Sequence, residues 1–69
     1  MKSDVQLKED ILAELKWDPI VNATDVGVIV KDGVVTLTGH LASFAEKYAA
    51  ERAAQRIGGV KALAVEIEV

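Results

Sequence analysis

Asp32-Gly33 is the residue pair that most constrains this chain. It sits between two runs in which every second residue is aliphatic, Val26-Gly-Val-Ile-Val-Lys31 and Val34-Val-Thr-Leu-Thr-Gly-His40. A two-residue type I′ hairpin needs positive φ at both central positions, and Asp-Gly meets that need at low steric cost. The pair therefore predicts an antiparallel β-hairpin with a fixed register. Alternation places Val26, Val28 and Val30 on one face with Val35, Leu37, Gly39 and Leu41. Gly27, Ile29 and Lys31 share the other face with Val34, Thr36, Thr38 and His40. One covered face and one wetter face suit an antiparallel pair.

Helical signals flank the hairpin. Ser3 is placed to cap a helix by accepting from the amide of Gln6, and Gln6 stands at the position that reaches back to the cap. Leu7, Ile11, Leu12 and Leu15 follow at helical spacing. Pro19 disfavours helix at Asp18, so the first helix runs from about Asp4 to Lys16 or Trp17. Ser43 and Glu46 form a second capping box. The stripe Ala45, Ala49, Ala50, Ala53, Ala54 and Ile57 predicts a helix whose backbone approaches the sheet closely. Gly58 is read as the left-handed residue closing that helix, with Gly59 loosening the exit. In the last segment Leu63, Val65, Ile67 and Val69 alternate with Ala62, Ala64, Glu66 and Glu68, which is a third strand.

The order αββαβ predicts an α+β fold, a two-layer sandwich of a three-stranded mixed sheet with two helices on one face. The second helix is a crossover, so the third strand should run parallel to the second, while its place beside strand two or strand one is left open by the sequence. Residues 1–69 form a single domain. The chain is short and has no cysteine, so no disulfide or thiolate site supports it. Hydrophobic residues make up 51% of the sequence, which argues against disorder. No apolar run is long enough for a transmembrane segment. The N-terminus lacks the basic-then-apolar layout of a secretory signal.

Charge and residue chemistry exclude several functions. The net charge is −3, concentrated in residues 1–32, where four lysines face seven carboxylates. Residues 42–61 reverse the sign, with Lys47, Arg52, Arg56 and Lys61 against Glu46 and Glu51. An acidic chain is a poor general nucleic-acid binder. His40 is the only histidine, so a zinc site lacks ligands and no metal site is assigned. Thr36 and Thr38 have no activating base at a defined spacing, so no catalytic residue and no cofactor is assigned.

The aromatics carry two readings. Phe44 and Tyr48 are four residues apart and share a helix face. They either pack against the first helix and seal the core edge, or form an amphipathic patch with Lys47 and Arg52 that touches lipid headgroups or a partner. Trp17 either covers the end of the core or acts as an interfacial anchor. The lipid- or partner-contact candidates are thus Trp17, Phe44, Lys47, Tyr48, Arg52 and Arg56. Ser3, Gly33, Gly39, Ser43, Gly58 and Gly59 are the turn and cap positions.

Ser3-Asp4, Trp17-Asp18-Pro19, Val26-x-Val28-x-Val30, Asp32-Gly33-x-Val35-Thr-Leu-x-Gly39, Ala50-Glu-Arg-Ala-Ala54, Gly59-Val60 and Ile67-x-Val69 together resemble the BON domain, a small bacterial module named after osmotically inducible and nodulation proteins. The resemblance covers essentially the whole chain. Val65 departs from it, where many relatives carry Asn or Asp. The resemblance implies a non-catalytic module of an osmotic or envelope-stress protein that contacts phospholipid membrane surfaces. The alternatives are a protein-interaction or inter-domain module, suggested by the small core, the uncovered sheet face and a multi-copy context, or a module sensing potassium or a small ligand, as some members of the family do. Implied partners are a phospholipid surface, an envelope protein, or further BON copies in the same chain, of which this would be the first. Implied localisation is periplasmic, against a cytoplasmic location if the missing signal peptide is genuine.

Overall fold

The computed structural model describes residues 2–69. In chain order it contains helix α1 (Asp4–Trp17), a 3-10 turn (Ala23–Asp25), strands β1 (Val26–Lys31) and β2 (Val34–His40), helix α2 (Phe44–Gln55) and strand β3 (Ala62–Glu68). The hairpin closes at Asp32 (φ 53°) and Gly33 (φ 80°), both left-handed as the turn requires. Its register pairs Val28 with Leu37 and Lys31 with Val34. β3 runs parallel to β2, with Val65 opposite Leu37 and Ile67 opposite Gly39, so the sheet order is β1-β2-β3. The third strand lies beside the second, which decides between the two edges that the sequence leaves open.

Both helices cover one face. The core joins Leu7, Ile11 and Leu15 of α1 to Val26, Val28, Val35, Leu37, Leu41 and Ile67 of the sheet layer. Ala49, Ala50, Ala53 and Ala54 bring the α2 backbone down onto the same core. Fully burying one such Leu or Val stabilises the fold by roughly 1.5–3 kcal/mol. Among the described residues no charged or polar residue is buried.

Details of the helix ends and stripes differ from the sequence expectation. Ser3 Oγ accepts from the Gln6 amide at 3.1 Å, but the Gln6 side chain turns forward and donates to Asp10 Oδ1 at 2.9 Å. A charged acceptor one turn ahead outcompetes the cap amide behind it. At the second cap, Ser43 Oγ accepts from the Glu46 amide at 3.3 Å, while Glu46 Oε2 accepts from Ala42 N–H rather than that of Ser43. Leu12 and Ala45 leave their expected stripes and are exposed. At 100° per residue, Ala45 falls about 110° from the middle of the buried alanine arc.

Gly58 is corrected outright. The left-handed residue is Gly59 (φ 100°), and a Cβ on Gly58 would meet nothing within 4 Å. The end of α2 is closed by bonds from the amides of Arg56 and Ile57 back to Arg52 and Ala54, with Arg56 itself still right-handed. No left-handed residue is needed there, and positive φ is used only in the following turn toward β3. Gly39 has a stricter role. Its φ is 143°, and any Cβ would collide with the backbone oxygen of Asp25.

Candidate contact surface

Trp17, Phe44 and Tyr48 all face solvent. Trp17 is 83% exposed, Phe44 61% and Tyr48 56%. The packing expectation for these three is therefore overturned. The reason is steric: Leu7, Ile11, Leu15 and the alanine face already fill the space over the sheet. The close approach that alanines permit leaves no gap for a ring. Phe44 and Tyr48 instead stack on each other, with centroids 6.4 Å apart and planes inclined by 29°. They form the ridge of α2 opposite its alanine face.

Polar groups surround that ridge. Tyr48, Glu51, Arg52 and Gln55 line a shallow open depression of about 430 Å³. Among the described residues, no carboxylate comes within ion-pair distance of Lys47 or Arg52. Arg56 is placed differently. Its Nε donates to Glu14 Oε1 at 2.9 Å, and its terminal nitrogen lies 3.9 Å from Asp18 Oδ2. Arg56 thus ties the end of α2 to the last turn of α1.

At the end of α1 the chain is held by its own polar atoms. Asp18 Oδ1 accepts from the Ile20 amide at 2.9 Å across Pro19. This turn presents Trp17 and Ile20, a second exposed apolar residue that sequence reading passed over. His40 is exposed, with Nδ1 3.7 Å from Glu68 Oε2. No group of three or more His, Cys, Asp or Glu among the described residues could hold a metal. No helix among them is long and apolar enough to cross a membrane.

A further polar contact lies at the opposite pole. Asp4, the first residue of α1, accepts from the amide of Asp32 at 2.9 Å and from that of Gly33 at 3.1 Å. These two amides have no partner within the hairpin ladder, so Asp4 satisfies both and fixes the start of α1 against the turn. The Gly33 carbonyl accepts from Lys61 N–H at 2.9 Å, which brings the start of β3 to the same place. In sequence, an aspartate after a cap reads only as a complement to the helix dipole. Nothing local signals its partner.

The family model described as BON domain matches residues 3–69. No curated protein matches the chain.

Proposed function

The chain belongs to the BON domain family, and from that premise we propose that it is a non-catalytic binding module of an osmotic or envelope-stress protein that contacts phospholipid surfaces. The observation that carries this reading is the exposure of the three aromatic rings, Trp17, Phe44 and Tyr48, with Ile20 in the turn after the first, outside a closed aliphatic core. Indole and phenol rings favour the boundary between headgroups and acyl chains, where one end is apolar and the other wet. Lys47 and Arg52 stand beside the α2 ridge with no ion-pair partner among the described residues, available to phosphate oxygens. Each half-exposed ring that buries on the order of 100 Å² in an interface contributes about 2.5 kcal/mol before ordering costs. A few such side chains give weak, reversible attachment, comparable with one acyl chain rather than an anchor. The acidic total charge opposes anionic membranes, so attachment depends on these local groups.

The test is co-flotation with zwitterionic and anionic vesicles at low salt. Wild type rises with the vesicles, and the combined Trp17→Ala, Phe44→Ala, Tyr48→Ala variant stays at the bottom. A wild type that stays behind with both vesicle types ends this reading.

A further inference from the structure

The shallow depression beside the α2 ridge carries two opposite charges that do not meet. Tyr48, Glu51, Arg52 and Gln55 line it, spaced so that they share one helix face. Glu51 and Arg52 are adjacent in the chain, and Lys47 stands one turn before Glu51. Among the described residues, neither Glu51 nor Arg52 has an ion-pair partner, not even the other or Lys47. The charges on either side are engaged elsewhere. Glu46 accepts from the Ala42 amide at the start of α2, and Arg56 is held by Glu14.

We infer that this depression receives the headgroup of a phosphoethanolamine lipid, with Arg52 on the phosphate and Glu51 on the ammonium. The inference rests on the phospholipid reading above and names the headgroup within it. A guanidinium presents a planar fork of donors that matches phosphate oxygens. The carboxylate beside it repels a ligand that is only anionic, and the net charge of −3 adds to that repulsion. A phosphoglycerol head or bare phosphate is disfavoured on both counts. A primary ammonium carries N–H donors, for which the Glu51 carboxylate and the Gln55 amide oxygen are acceptors. The quaternary ammonium of choline has no such donor and is recognised by a cage of rings. Here Tyr48 is the only ring lining the depression, so it supplies a single π face. Tyr48 also stacks on Phe44, so the ring that enters the lipid boundary borders the headgroup as well. The depression is open, which suits a head that stays joined to its lipid. All these contacts face water, so the selectivity is modest, about three- to fivefold.

Flotation of the whole chain with vesicles of different headgroups tests it. The vesicles are phosphatidylcholine alone, and phosphatidylcholine mixed equally with phosphatidylethanolamine or with phosphatidylglycerol. Ethanolamine vesicles should bind about three- to fivefold more tightly than either of the others. Glu51→Gln keeps the side-chain shape and should lower ethanolamine binding to the choline level, while binding to the glycerol vesicles rises. Arg52→Gln should weaken binding to all of them. Equal binding of wild type to choline and ethanolamine vesicles overturns the inference and leaves the phospholipid reading in place. So does strongest binding to the glycerol vesicles, or a Glu51→Gln variant that keeps the ethanolamine preference. Amide NMR with glycerophosphoethanolamine, the same head without acyl chains, separates the two failures. If no vesicle carries the protein but Glu51, Arg52 and Gln55 shift, the membrane reading falls and the site stands for a soluble phosphoethanolamine. If those signals are flat as well, both fall. The dispersed amide spectrum of each variant reports its fold in the same samples.

Discussion

Replacing Asp4 with alanine removes both acceptors that hold the Asp32 and Gly33 amides. Hydrogen bonds to a charged group contribute about 1.5–3 kcal/mol each when protected from water. Here the carboxylate is only half-buried and water takes over part of the role. The discounted cost of losing both is about 1–2 kcal/mol, to which the lost favourable charge at the start of α1 adds up to ~0.5 kcal/mol. A domain of this size has roughly 3–5 kcal/mol in total. With an m-value near 1 kcal/mol/M, the urea midpoint should fall by about 1–2 M. Asp4→Glu keeps the charge but displaces the carboxylate, so it separates the dipole effect from the clamp. It should retain less than half of the difference between alanine and wild type. Hydrogen exchange at Gly33 reads the clamp directly and should accelerate in both variants. An unchanged midpoint in Asp4→Ala, or Gly33 exchange that does not respond, would show that Asp4 does not hold the turn.

Four further outcomes follow from the same geometry. Gly39→Ala forces a Cβ against the Asp25 carbonyl at a φ that side chains rarely adopt, and should cost at least about 2–3 kcal/mol in chemical denaturation. Gly58→Ala meets open space at an ordinary φ and should be neutral or stabilising by about 0.4–1 kcal/mol. Trp17→Ala and Tyr48→Ala, at exposed positions, should each move stability by no more than about 0.5 kcal/mol while weakening vesicle attachment. The Lys2 ammonium, 2.8 Å from Asp10, and the Gln6 amide hold the Asp10 carboxyl below the usual carboxylate range. A lowered folded value means the pair's contribution is present above the unfolded carboxylate's titration and disappears as pH falls through the folded one. Lys2→Ala should raise the Asp10 value in an NMR titration and flatten that acid-side loss.

Most of the fold is legible in short-range pattern. The Asp32-Gly33 turn, the period-2 runs, Ser3 and Ser43 as caps, and Leu7, Ile11 and Leu15 each follow from geometry within a few residues. The place of β3 does not follow, because the crossover sets its direction relative to β2 but leaves both edges of the hairpin open. What is not legible depends on long-range space. The burial of a ring depends on how much room the facing layer leaves, and the alanine face of α2 leaves none for Phe44 or Tyr48. Arg56 reads as a free cation until α1 places Glu14 and Asp18 beside it. Gly58 and Gly59 both permit a left-handed residue, and only the bonds closing α2 decide between them. The proposed contact surface is legible as residue types but not as an arrangement. Trp17, Phe44 and Tyr48 are visible in sequence, whereas their exposure is a property of the packed core.

Paramagnetic broadening from a headgroup-spin-labelled phospholipid in small bilayer discs tests, residue by residue, whether the protein meets phospholipid with its exposed rings and not with its sheet. Signals of Trp17, Ile20, Phe44 and Tyr48 should fade first, while Thr36, Ala64 and Glu66 stay sharp. Broadening that centres on the open sheet face, or no broadening anywhere, contradicts the claim.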